Sequence, residues 1–297
     1  MQIRFLILAI FATFVVACSN EPEIVNGVNN NETLVPVRVH VDGFSVTQED
    51  FPDTRAATAL TSYTDINAVT LAFYNGATET YKVTQEKGSL AEGETFGNFS
   101  LSLPMASYTM VVLAYHTSEG NPLVLTSPTL AAYTGDRSYE TFATTQAVNT
   151  TNTNAVDISA TLDRIVTGLR VVSTDGKTDN VSNVRMTMSA GGMSFNPTTG
   201  FATSNTGYVN TVSVSAAVGS TSRSISYFFL TTDEQTMDVT IETLDADGKT
   251  LFSKTVKNVP LKRNRVTILT GAMYTVTSLS GSFQVEKTWL DETNVSF

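Results

Sequence analysis

Three observations predict an all-β protein. Thr supplies 47 of 297 residues, and Val and the aromatics are abundant, all types that suit a pleated, half-buried surface. Apolar and polar residues alternate with period two along many short segments. No helical period runs longer than a turn or two. Length allows one large domain or two ordinary ones.

The first seventeen residues stand apart from this pattern. Arg4 precedes a mostly apolar run, Phe5–Val16, whose length suits a signal-peptide core and is too short to span a bilayer. Val15-Val16-Ala17-Cys18 resembles the lipobox of bacterial lipoproteins, in which the Cys is acylated and becomes the new N-terminus. Buried acyl methylenes would then hold the protein to a membrane. Residues 1–17 are the expected leader, and 18–32 an Asn-rich tether.

The strands follow in order. Val35, Val37, Val39 and Val41 alternate with Pro36, Arg38 and His40, and Pro36 lacks a backbone donor, which points to a sheet edge. Ile66–Phe73 places Val69, Leu71 and Phe73 on one face. Phe99, Leu101 and Leu103 alternate with polar residues, and Tyr108–Tyr115 is a near-continuous apolar run expected of a central strand. Further strands are predicted at 139–148, 156–162, 165–172, 184–188, 208–214, 224–230, 237–244, 251–256, 265–269 and 281–289. Asp175-Gly176 and Asp247-Gly248 read as hairpin turns. The polar stretch Asn149–Asn154 and the strand after it close a first sandwich over 33–162, and a second follows over 163–297.

Composition excludes several chemistries. A net charge of −10 opposes nucleic-acid binding, which needs a basic surface. One Cys forms no intrachain disulfide, and two His leave little material for a triad or a zinc centre. Gly176-Lys177-Thr178 and Gly248-Lys249-Thr250 lack the Gly five positions earlier that a phosphate loop requires, Val171 and Thr243 standing there. Asp245-Ala246-Asp247-Gly248 has no acidic residue at calcium-loop spacing beyond it. Glu49 and Asp50 sit in a polar loop with nothing to desolvate them. The chain reads as a non-enzyme without a cofactor.

The ends carry the functional signal. After Val35–Val41 comes a polar loop ending in Arg55-Ala56-Ala57. At the C-terminus Phe283, Val285, Trp289, Val295 and Phe297 occupy odd positions between polar ones. With Leu162-Asp163-Arg164-Ile165-Val166 and Val259-Pro260-Leu261-Lys262-Arg263-Asn264 in between, this ordered set resembles the fimbrillin superfamily, the pilins of type V pili. The resemblance implies two transthyretin-like β-sandwiches in tandem, export as an outer-membrane lipoprotein to the cell surface or a pilus, and assembly with other pilus subunits by donor-strand exchange. An arginine-specific protease then cuts after Arg55, before Ala56. The first strand leaves with its four valines, and another subunit's C-terminal strand fills the groove. Phe283, Val285, Trp289, Val295 and Phe297 are the corresponding donor residues here. Two alternatives stay open. One is an uncleaved anchor or tip subunit. The other is a monomeric surface lipoprotein binding glycans, with Tyr133 and Tyr139 as stacking platforms.

Overall fold

The computed structural model describes residues 23–24, 32–45, 60, 63–275 and 284–287. In chain order its strands are β1 (Glu23–Ile24), β2 (Leu34–Ser45), β3 (Ala68–Asn75), β4 (Thr78–Glu86), β5 (Asn98–Pro104), β6 (Ser107–Tyr115), β7 (Leu123–Ser127), β8 (Leu130–Tyr133), β9 (Thr141–Asn149), β10 (Val156–Arg164), β11 (Thr167–Ser173), β12 (Asn183–Met188), β13 (Ser194–Phe195), β14 (Tyr208–Ser213), β15 (Arg223–Phe228), β16 (Glu234–Leu244), β17 (Thr250–Lys262), β18 (Val266–Gly271) and β19 (Gln284–Lys287). The all-β expectation holds.

Eight strands of the first half form one sheet in the order β1-β5-β2-β10-β9-β6-β3-β4. β10 meets β9 through two residue pairs only, Asp163 with Ala143 and Arg164 with Phe142. The sheet therefore opens at that corner and folds into two layers. At the far edge Gln85 of β4 spans the gap to the start of β5. Its Nε2 donates to the Asn98 carbonyl (2.9 Å), and its Oε1 accepts from the Gly97 N–H (2.8 Å). Period-two alternation places Val37, Val39, Leu101, Leu103 and Leu162 on the inner face of one layer. They pack against Val69, Leu71, Phe73, Met110 and Val112 of the other.

β3 and β6 are buried on both faces, which accounts for their near-continuous apolar sequences. Their outer faces (Ala72, Tyr74, Val111 and Leu113) lie under residues of the small sheet β13-β8-β7, together with Ile165, Val166 and Phe229 from the second half. That second half stacks β15-β11-β18-β19 on β14-β12-β16-β17. Leu169, Val171, Phe228 and Leu269 meet Val184, Met186, Val239 and Ile241 across the gap.

Three details depart from the sequence reading. β2 is not an edge strand: β5 flanks it on one side and β10 on the other. Pro36 fits because the β10 ladder starts only at Val37, so the missing N–H removes no bond on that side. Asp175-Gly176 is not a hairpin, since β11 and β12 belong to different layers. Asp247-Gly248 is one, joining β16 to β17 with Gly248 at φ +81°. The Asp245 carboxylate closes that turn on the N–H groups of Asp247 (3.0 Å) and Lys249 (2.8 Å). β1, β4, β7, β8 and β13 have no counterpart among the predicted strands, β1 falling within the expected tether, where it pairs with β5. β4 shows why. Glu79, Lys82 and Glu86 dominate its exposed face, and its inward face is only half-apolar Tyr81, Val83 and Gln85.

Candidate functional site

β2 sits in a slot with apolar walls. It runs antiparallel to β5, pairing Val35 with Leu103, Val37 with Leu101 and Val39 with Phe99. It runs parallel to β10, pairing Val37 with Val156, Val39 with Ile158 and Val41 with Ala160. The valines point inward: Val35, Val37 and Val39 are 0% exposed and Val41 is 7%. Pro36, Arg38, His40 and Asp42 face out. The outward contacts are weak. Arg38 reaches Asp157 at 3.5 Å, an exposed pair of little value, and His40 Nδ1 shares a 2.9 Å hydrogen bond with Asn98. β2 is thus held by its backbone ladders and by four valines worth together roughly 6–12 kcal/mol, an upper bound because the unfolded chain is itself compact.

The slot is closed at the Val41 end. Val41 N–H donates to the Gly97 carbonyl (2.9 Å). Gly97 has φ +85°, and a Cβ there would lie 2.5 Å from Leu60 Cδ2 and 3.3 Å from Val41 Cβ. Leu60, 3% exposed, belongs to the same core and follows Arg55 in the chain. A cut after Arg55 therefore leaves Leu60 with the body of the protein.

Beside the slot, Arg164 joins separate segments. Its guanidinium donates to Glu140 (Nε to Oε1, 2.7 Å), Asn264 Oδ1 (2.9 Å) and Tyr63 Oη (3.3 Å), and it lies 4.9 Å from the Phe142 ring centre. Arg164 is buried and Glu140 nearly so, at 6% and 13% side-chain exposure. Burial pushes the Glu140 carboxyl up despite the opposing pull of Arg164. A polar cleft of about 440 Å³ opens next to this hub, walled by Thr144, Thr145, Lys262 and Arg263 among others. Two of its cations are compensated: Arg263 pairs with Asp233 at 2.7 Å and Lys262 with Glu234 at 3.0 Å.

The C-terminal strand has the opposite character to β2. Among the described residues β19 pairs on one side only, antiparallel to β18, with Val285 opposite Leu269. The chain just before it is clasped by Asp175. One carboxylate oxygen accepts from Met273 N–H (3.0 Å); the other accepts from Tyr274 N–H (2.8 Å), Thr275 N–H (2.7 Å) and Thr275 Oγ1 (2.9 Å). Partial burial tends to raise this carboxyl, but the backbone donors of Met273, Thr275 and Tyr274 outweigh it and hold the carboxyl below its usual range. Asp175→Ala strands three N–H groups and is expected to cost about 1–3 kcal/mol. A depressed carboxyl contributes above its unfolded value, near pH 4, and the contribution is lost as pH falls through the folded value. The difference in urea midpoint between wild type and variant should therefore shrink on acidification below about pH 4. Equal midpoints at neutral pH would show that the clasp holds nothing.

The sequence-predicted residues divide sharply. Val37, Val39 and Val41 come together in one core cluster, and Val35 is buried one alternate position before them on the same strand. Val285 is placed by its backbone on β18. Cys18, Arg55, Ala56, Phe283, Trp289, Val295 and Phe297 lie outside the described residues. Tyr133 does not offer a stacking face. It is 3% exposed, its hydroxyl shares a hydrogen bond with Thr141 (2.9 Å), and burial drives its phenol pKa far up. Tyr139 is half-buried and packs on His116 with ring centres 4.6 Å apart. Leu60 and Asp175 escape sequence reasoning, because a lone Leu in a polar stretch carries no pattern of its own and an Asp before Gly reads as a local turn.

Solved structures share this architecture at low sequence identity. The fimbrial anchor protein Mfa2 from Porphyromonas gingivalis is 10% identical, with a TM-score of 0.53, over 86% of this chain and 98% of that one. A candidate adhesin from Bacteroides ovatus is 11% identical, with a TM-score of 0.51, over 89% and 97%. No curated protein matches the chain. The fold is that of these β-sandwich fimbrial and adhesin proteins. A family model matches residues 31–296, nearly the whole described region, and the chain belongs to that family, DUF6562, a family of unknown function.

Proposed function

We propose that this protein is a structural fimbrial or cell-adhesion subunit that joins other subunits by strand addition. In this reading it is exported as a lipoprotein anchored through Cys18, with sandwiches over 33–162 and 163–297. Cleavage near Arg55 frees β2, and an extended strand of another subunit takes its place. Its own C-terminal segment, Phe283 to Phe297, is the strand offered to a neighbour. The observation that carries the reading is the slot of β2. One strand, held by alternate valines between β5 and β10, is followed in the chain by the Arg55 segment and then by Leu60, seated in the core. Removing such a strand leaves two unpaired ladders and a row of apolar sockets, a template for strand addition. The fold shared with a fimbrial anchor protein supports the same reading.

The test uses soluble chain starting at Ser19. Native protein treated with an arginine-specific protease should give a new N-terminus at Ala56. After unfolding and refolding, the cut protein should capture a labelled Leu34–Ser45 peptide in place of its own strand. Resistance of the Arg55 bond while other arginines are cut, or failure to capture the peptide, would count against strand exchange.

A further inference from the structure

The slot specifies its occupant, and the chain's own C-terminal strand does not meet the specification. We infer that this protein does not polymerise with itself, and that its groove takes a strand from a different chain bearing uncharged, Val-sized residues at four alternate positions. The inference rests on the strand-exchange reading above.

Four sockets must be filled. Val35, Val37 and Val39 are wholly buried, and their cross-strand partners are Leu103, Leu101, Phe99, Val156 and Ile158, whose side chains carry no charge to pair with a charged guest. Period two fixes which guest residues enter. Within 281–297 every run of four alternate positions carries a charge. On the odd face it is Lys287 or Asp291, and on the even face Glu286 or Glu292. This holds for either strand direction and every register. Sliding back to Leu279 avoids charge but brings in Gly281, which leaves a socket empty. Size adds a second barrier. In the register 283–289 on 35–41, one direction puts Trp289 and the other Phe283 at the Val41 socket. Leu60 and Gly97 pack tightly at that end, where a Cβ on Gly97 would lie 2.5 Å from Leu60 Cδ2 and 3.3 Å from Val41 Cβ. Overpacking and an unpaired buried charge both oppose self-assembly. A protein with such a groove occupies a single place in an assembly rather than repeating along it.

The test refolds the protease-cut protein with excess labelled peptides and measures retention on gel filtration. Three peptides are compared: Leu34–Ser45; Gly281–Phe297; and Gly281–Phe297 with Phe283→Val, Lys287→Val and Trp289→Val. The first and third should be captured. The second should bind at least about 100-fold more weakly, as expected when a buried charge has no partner. Equal capture of the unmodified C-terminal peptide, or ladders of pure protein after cleavage, would overturn the inference and leave strand exchange standing. Capture of the first peptide but not the third would also overturn it, since charge and size would not be the reason. Failure of the first peptide would bring down the strand-exchange reading and this inference together.

Discussion

Arg164→Ala is expected to destabilise the protein by about 3–5 kcal/mol, the range for removing one partner of a buried pair. Arg164 and Glu140 are both nearly inaccessible, so the variant leaves a carboxylate in the interior without its cation. It also removes donors from Asn264 and Tyr63 and the cation from the Phe142 ring. These contacts tie β10 to the turn before β18 and to the segment that follows Arg55. The loss should depend on pH. Burial already pushes the Glu140 carboxyl up, and without Arg164 it rises further. A carboxyl whose folded pKa lies above its unfolded value weakens the fold as pH rises between the two. The deficit should accordingly narrow toward the ordinary Glu value, about pH 4.3. Urea midpoints of wild type and Arg164→Ala across pH check this. A variant as stable as wild type at pH 7 would show that Arg164 is an ornament of the seam rather than its hub.

Val39→Asp is expected to abolish the seating of β2. Val39 is wholly buried between Phe99 and Ile158, whose side chains have no donor to give a carboxylate. An unpaired buried charge is among the few mechanisms that exceed about 4 kcal/mol. Arg38→Ser, one residue away, should change stability by no more than about 0.5 kcal/mol, because Arg38 is exposed and its ion pair spans 3.5 Å. The contrast between adjacent positions is the test. If both variants melt alike, the strand does not present its odd positions to the core.

The alternation of Val35 to Val41, the two-sided apolar run of β6 and the Asp247-Gly248 turn were legible because each is a local pattern tied to a local conformation. β4 was hidden because an edge strand with polar residues on both faces has little period to read. Asp175 looked like a turn residue because short-range pattern cannot reveal that its carboxylate meets residues about a hundred positions away.

The sequence by itself determined that the protein is a set of β-strands, which residues of its clearly alternating strands, such as Val35 to Val41, share a face, and that the segment 281–297 carries a charge in every window of four alternate positions. These are properties of periodicity and residue type. Only the tertiary structure decided that β2 lies between β5 and β10 rather than at an edge, that Leu60 and Gly97 close its slot, and that Arg164 binds the neighbouring segments together. Strand order and long-range contact depend on which elements meet. That is a matter of global packing, for which a single strand's alternation holds no information.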